Sequence, residues 1–295
     1  MNEFLELAAR GRTTWWRYVA AIALCALLIV VIFAVAIVAL EISGVGPTAI
    51  KDAVSNPSHF QFFLGANGAA FAALLVSLAL AIRWLHAKRL TDIIGDWSWR
   101  KVLIGAGAWL AVCVVTGLIP GVDSVRFTGS WATATLALWA IPTLAVQTFT
   151  EEFVFRGYIT QGLLLATRRP LITALLSGLI FGAGHIPNGW PQAAGVTLFG
   201  IMTAIIAMRT GGIAVTFGMH LANNLFASVV MVSTNDVFRG IPALFTVTTP
   251  PNLIWFESLV FPLATLTAVL WHSRALFRSG RLVAIGSTHT ADLFD

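Results

Sequence analysis

Three short segments carry side chains with no ordinary place in an apolar chain: Thr150-Glu151-Glu152-Phe153-Val154-Phe155-Arg156, Phe181-Gly182-Ala183-Gly184-His185 and His220-Leu221-Ala222-Asn223-Asn224. Together they hold two carboxylates, a guanidinium, two imidazoles and two carboxamides, parts suited to activating a water and stabilising a developing oxyanion. Glu152 and Arg156 are four apart and share a helix face, whereas Glu151 points about 100° away. The two acids are therefore expected to do different work. Glu152 is the ionised, orienting partner of Arg156; Glu151 is freer and is the candidate general base. Phe181 and His185 are also four apart, as are His220 and Asn224, so the latter imidazole and carboxamide can face one cavity and donate two hydrogen bonds to one oxygen.

Each segment alone also has a reading without chemistry. The acids and Arg156 fit a helix end snorkelling to water. His185 fits a satisfied histidine at a helix end, because Pro187 and Asn188 follow. His220 and Asn224 fit interhelical hydrogen-bond glue, the role to which Asn223 is better suited. A charge near the bilayer centre costs about 3 kcal/mol on insertion scales, so three helices carrying such groups together are harder to explain without function. His59, His86, His272 and His289 fall in loops or tails and are given no role.

The elements that must position these residues are apolar throughout. The 295 residues are 58% hydrophobic and 11% charged, with a mean hydropathy of +0.85, far from the roughly one-quarter charged of a soluble domain. Runs long enough to cross a bilayer, about 20 residues each, are expected at 17–41, 60–84, 102–120, 131–156, 170–186, 191–208, 212–233 and 253–273. The expected architecture is all-α: a polytopic membrane helix bundle of about eight transmembrane helices, forming a single integral membrane domain over 1–295. The first run is too long for a cleavable signal and is read as a retained helix.

The formal charge of +5 does not point to nucleic acid, because the basic residues flank apolar runs instead of forming one patch. Eight crossings beginning in the cytoplasm leave fourteen of the 18 basic residues inside, only Lys51, Arg126 and Arg239 outside, and Arg156 within the membrane. Both termini are then cytoplasmic and the protein is multi-pass in the cell membrane. Trp15, Trp16, Trp84, Trp97, Trp99 and Trp271 mark interfaces at the run ends. Cys25 and Cys113 lie within apolar runs and imply no disulfide framework.

The ordered set EExxxR, FxxxH and HxxxN on successive hydrophobic helices resembles the CPBP family of intramembrane proteases. This is the CAAX-protease and bacteriocin-processing group, which includes the eukaryotic type II CAAX prenyl endopeptidase and many bacterial Abi-type proteins. The resemblance covers roughly 131–232, a catalytic helix core, and the motif positions match without departure. It implies an intramembrane endopeptidase in which Glu151, helped by His185, activates water while His220 and Asn224 stabilise the oxyanion. Glu152, Arg156 and Phe181 would then be orienting residues. The implied substrate is a membrane-associated peptide or protein, a partner membrane protein included. A zinc version would use Glu151, His185 and His220 as ligands, with water as the fourth. The metal-free mechanism is preferred, because asparagine is a poor zinc ligand and sits where an oxyanion donor belongs.

Two other classes compete: a non-catalytic scaffold, chaperone or immunity protein with the same bundle, and a proton-relay transporter. The latter would carry inverted repeats and paired broken helices, neither of which the sequence displays. Depth poses a separate question. Glu151 lies about 25 Å along a continuous helix from Arg168, but His220 only about 13 Å from Gly211. Either the fourth helix breaks near Gly157 or the seventh begins deeper in the bundle.

Overall fold

The computed structural model describes residues 3–44, 46, 48, 51–52, 59–117, 124–234, 237–248, 250 and 253–278. A short helix α1 (Glu3–Ala9) precedes the long α2 (Trp15–Ile42), α3 (Phe60–Leu85), the small α4 (Leu90–Ile94) and α5 (Trp99–Gly117). Helix α6 (Trp131–Glu151) passes through a π-helical segment (Glu152–Ile159) into α7 (Thr160–Thr167), one helical run of 37 residues. Then come α8 (Pro170–Ala183), α9 (Trp190–Thr210), α10 (Ala214–Leu225, extended by a π turn to Val230) and α11 (Ile254–Arg278).

Each of the eight expected spans coincides with one of these helices. Among the described residues five runs are long and apolar enough to cross a membrane: α2, α3, α6 to α7, α9 and α11. Helices α8 and α10 are apolar but shorter. This is a polytopic helical bundle. Residues 118–120 of the expected third span, and Arg281 with the C-terminal tail, lie outside the described residues.

Helix α10 packs against α5 and α6, α9 against α8 and α11, and α3 against α2 and α6. The lipid-facing surface is plain in α2, where Val19, Val30 and Val35 are among many exposed aliphatic residues. Beside the helices of this all-α bundle, β1 (Ser124–Phe127), β2 (Met231–Ser233) and β3 (Phe245–Thr248) form a small sheet in the order β1-β3-β2, with β3 antiparallel to β1 and parallel to β2. The seventh span therefore ends at Val230 instead of 233, where β-branched and aromatic residues pair across loops.

The opposite end of the bundle is closed by α1, α4 and the turn before α10. Phe4, Leu5, Leu7 and Ala8 are buried, and Lys88 Nζ donates to the carbonyls of Leu7 and Ala8 at 3.3 and 2.7 Å and to Gln161 Oε1 at 3.1 Å. That ammonium caps the C-terminus of α1, where a cation is favoured. Burial nevertheless pulls the Lys88 pKa down to about 8, against the opposing pull of Asp92. Asp92, bonded to Arg10 at 3.0 Å and to the Arg89 amide at 2.9 Å, sits below the usual carboxylate range; burial pushes it up but those partners outweigh it. His86 corrects its assignment as an idle loop residue. It is buried, its Nδ1–H donates to the Arg12 carbonyl at 2.7 Å, and its Nε2 lies 2.9 Å from the Tyr158 hydroxyl.

The depth question resolves here. The fourth helix does not break at Gly157; the α4 turn reaches into the bundle instead. A Cβ at Gly157 would meet Ile93 Cγ2 at 2.5 Å, and two residues later Gly95, at φ 72°, bridges Gly212. The Ile213 amide donates to the Ile94 carbonyl at 2.9 Å. Helix α10 thus starts level with Gly157, well inside the end of the 37-residue run. From that level His220 lies about 10 Å along α10 and Glu151 at most about 9 Å back along the π segment, at α-helical rise.

Candidate active site

Helix α6 and its π segment bring Glu151, Glu152 and Arg156 against α10. Both acids and the guanidinium are buried: Glu152 and Arg156 completely, Glu151 to 7% exposure. Arg156 Nη1 lies 3.3 Å from Glu152 Oε1, the expected i,i+4 pair. Its Nε donates to Thr203 Oγ1 on α9 at 2.8 Å, and its guanidinium carbon sits 4.0 Å above the centre of the Phe181 ring. A buried cation so placed gains from the ring's negative face. The cost of burying it remains several kcal/mol, so the partner carboxylate is indispensable.

His220 bridges the two acids. Its Nδ1 is 2.8 Å from Glu152 Oε1 and its Nε2 is 3.4 Å from Glu151 Oε2. Because Glu152 is the Arg156 partner and an acceptor, Nδ1 carries a proton and donates. The imidazole's other nitrogen, Nε2, faces Glu151. Glu151 Oε1 accepts from Gln147 Nε2 at 3.2 Å, and Gln147 in turn accepts from Asn67 Nδ2 at 2.6 Å. Of the two acids, Glu151 is the less buried, and among the described residues its side chain contacts Gln147 and His220.

Phe181 stands at the centre of the remaining contacts. His185 meets its ring edge-on at 4.8 Å between centroids and His220 at 5.9 Å, while Phe199 meets His220 at 5.4 Å. Helix α8 ends at Ala183, so His185 lies in the following turn, a correction to its placement on a helix extending to 186; Gly184 and Pro187 oppose continuation. His185 Nδ1–H donates to the Phe181 carbonyl at 2.9 Å, which leaves Nε2 of the neutral ring with its lone pair. Among the described residues no hydrogen bond or ion pair joins His185 to Glu151; the link runs through Phe181.

Asn224 is one turn beyond His220. Its Nδ2 donates to Thr148 Oγ1 on α6 at 3.1 Å and its Oδ1 accepts from Asn223 at 3.3 Å, while Asn223 accepts from Trp109 Nε1 at 3.0 Å. Asn223 is the interhelical glue it was read to be. Sequence reasoning missed Gln147, Asn67, Thr203 and Phe199. Gln147 was findable, since it lies four residues before Glu151 on one helix face. Asn67, Thr203 and Phe199 come from distant helices and carry no local signal.

The zinc set is not gathered here. Among the described residues no three His, Cys, Asp or Glu side chains are grouped to hold a metal ion, and His185 is separated from the other two by the Phe181 ring. Three buried polar atoms, Glu152 Oε2 and both Nη of Arg156, have no hydrogen-bond partner among the described residues. Buried groups of this kind ordinarily contact ordered water or ligand.

Residues 133–226, the stretch that contains all three motifs, match the family described as type II CAAX prenyl endopeptidase Rce1-like. The resemblance read from the motifs holds over that stretch, and at family level it supports an intramembrane protease of the CAAX type. A Bacillus subtilis (strain 168) protein described as uncharacterized protein YyaK is 29% identical, over 66% of this chain and 70% of its own length. No solved structure matches the chain.

Proposed function

We propose that the protein is an intramembrane endopeptidase that hydrolyses a peptide bond of a membrane-associated substrate, with Glu151 as general base. The observation that carries this reading is the unequal treatment of two adjacent acids. Glu152 is locked between Arg156 and His220 with no exposure, while Glu151 keeps 7% exposure and lies 3.4 Å from His220 Nε2. The imidazole held by a carboxylate at Nδ1 and facing Glu151 at Nε2 follows the logic of an oriented acid–base histidine.

In this mechanism Glu151, as carboxylate, takes a proton from water as the water oxygen bonds to the carbonyl carbon. His220, as imidazolium, and Asn224 donate to the oxyanion. When the C–N bond breaks, the proton on Glu151 passes to the leaving amine, giving acid and amine products. His185 presents its free Nε2 to the water from the Phe181 side. Asn224 must exchange its Thr148 contact for the oxyanion, a rearrangement of the kind expected on substrate binding. The chain would lie in the cell membrane with both termini in the cytoplasm, as the charge bias implies. The family match makes peptides bearing a lipid-modified C-terminus the first substrates to try.

The test is cleavage by purified full-length protein in lipid nanodiscs of lipidated and unlipidated fluorogenic peptides, wild type beside Glu151→Gln. Turnover lost in the variant, with wild-type thermal stability, supports the reading; equal turnover refutes it. Metal content and chelator response should be measured alongside, because stoichiometric zinc whose removal abolishes cleavage would replace the metal-free mechanism. A non-catalytic bundle is the second reading, favoured by His220 having both nitrogens committed to the acids. It predicts no turnover of any peptide, with cellular function kept in the Glu151→Gln protein.

A further inference from the structure

Away from the acid–histidine cluster, two neighbouring cavities share one arginine. The larger, about 840 Å³, lies between the start of α2 and the run from the π segment into α7; Trp15, Tyr18, Ile22, Ile159, Leu163 and Ile180 give it an apolar wall and Arg168 closes one end. Its volume is within the range of about 300–1,000 Å³ typical of small-ligand sites. The smaller, about 520 Å³, is lined by Thr167, Arg168, Arg169 and Ile172. One chamber is greasy, the other basic, and Arg168 belongs to both.

The geometry matches one class of molecule. From Arg168 to Ile159 is nine residues, about 14 Å at helical rise, close to one leaflet's share of a hydrocarbon core about 30 Å thick. Trp15, 71% exposed at the head of α2, marks the interfacial level at the basic end. The chain also accepts a backbone cost there. Arg168 closes α7 in the left-handed conformation, φ 55°, where glycine is the usual residue. Its Nε donates to the Leu165 carbonyl at 2.9 Å, which turns the guanidinium back along the helix. Arg169 follows in extended conformation before Pro170. This αL-then-extended corner is what brings two guanidinium groups to one small chamber.

We propose that the paired cavities bind an anionic phospholipid, its phosphate between Arg168 and Arg169 and one acyl chain in the chamber of α2, the π segment and α7. Basic pockets between membrane helices recognise lipid headgroups in this manner. Tyr158 and Ile159 belong to the same π segment as Glu152 and Arg156, so the bound chain braces the helix that carries the acids. The site does not depend on the hydrolytic reading and is tested without substrate.

The experiment is native mass spectrometry of the full chain extracted from vesicles of equimolar phosphatidylglycerol and phosphatidylcholine. About tenfold or greater retention of phosphatidylglycerol is expected from two basic residues at the membrane surface. Arg168→Gly suits the left-handed position, so it keeps the fold, and its preference should fall toward unity. Ala166→Phe, which projects a ring at the apolar chamber, should lower retention of phosphatidylglycerol while Arg168 and Arg169 remain. Equal retention of the two lipids by wild type, or undiminished preference in Arg168→Gly, overturns the proposal. Displacement of the lipid by millimolar inorganic phosphate would identify a plain anion site and overturn it as well.

Discussion

His220 Nδ1 lies 2.8 Å from Glu152 Oε1, an oxygen that also faces Arg156 Nη1 at 3.3 Å. One carboxylate oxygen therefore fixes the imidazole and neutralises the buried guanidinium. Removing its charge does two kinds of damage at once, whereas removing that of Glu151 does one.

Glu152→Gln should lose cleavage and also stability, by about 3–5 kcal/mol for a buried pair broken on one side. Glu151→Gln should lose cleavage with stability changed by less than about 1 kcal/mol, since Glu151 has no obligatory cation. Thermal unfolding and peptide turnover on the same nanodisc preparations check both. Equal destabilisation by the two substitutions would contradict the division of roles.

His185→Ala should lower kcat by about 10²–10⁴, the usual range for a lost acid–base partner, without lowering Tm, because the side chain is only half-buried beyond the end of α8. Phe181→Ala should lower both, by about 3–5 kcal/mol in stability for a buried aromatic, since its ring underlies Arg156 and both imidazoles. Unchanged kcat in His185→Ala would remove that residue from the mechanism.

Folded Lys88 loses its proton near pH 8, against 10.5 for the free side chain. Between those values the unfolded chain binds more protons, so stability should rise with pH across that window, by at most about 3 kcal/mol. Below pH 8 the cost of the buried charge is present in full. Lys88→Met should abolish the rise, and at pH 7 should speed hydrogen exchange in residues 3–9, whose terminal carbonyls lose their cap.

Gly157→Ala should cost about 1–3 kcal/mol, as overpacking does, because its Cβ would meet Ile93 at 2.5 Å. The same shift withdraws the α4 turn and with it the start of α10, so kcat should fall although no acid or histidine is touched. Retained kcat would mean that the α4 turn does not set the depth of His220.

Thiol labelling of intact cells tests the orientation. Cys25 and Cys113 are buried, so background is low. Arg126→Cys, on β1, should label from outside, and Arg169→Cys only after permeabilisation. The reverse pattern would put both termini outside the cell.

The helices and motif faces were legible because period and hydropathy are local properties. The i,i+4 spacing of Glu152 and Arg156 matches their ion pair, and the separate direction of Glu151 matches its having other partners, Gln147 and His220. What was not legible depends on partners remote in sequence. His220 was read as a donor beside Asn224, but the fold commits its two nitrogens to Glu151 and Glu152, some seventy residues earlier. His86 reads as a loop histidine until Arg12 and Tyr158 close around it. The strands, four residues or fewer, have no periodicity to detect, and seven-residue α1 gains its stability from docking.

The π segment makes the site vulnerable in a way that substitutions do not reveal. Eight residues wound wider than an α-helix, Glu152 and Arg156 among them, fix the angular phase between Glu151 upstream and the α7 turns downstream. Deleting one residue between 157 and 159 would change the register of everything before it relative to everything after. Both acids and Arg156 would survive in the sequence yet face a different neighbour. In mutational drift, then, the length of this segment is as constrained as the identity of its glutamates, and a chain that kept every motif letter but changed the count would have lost the site.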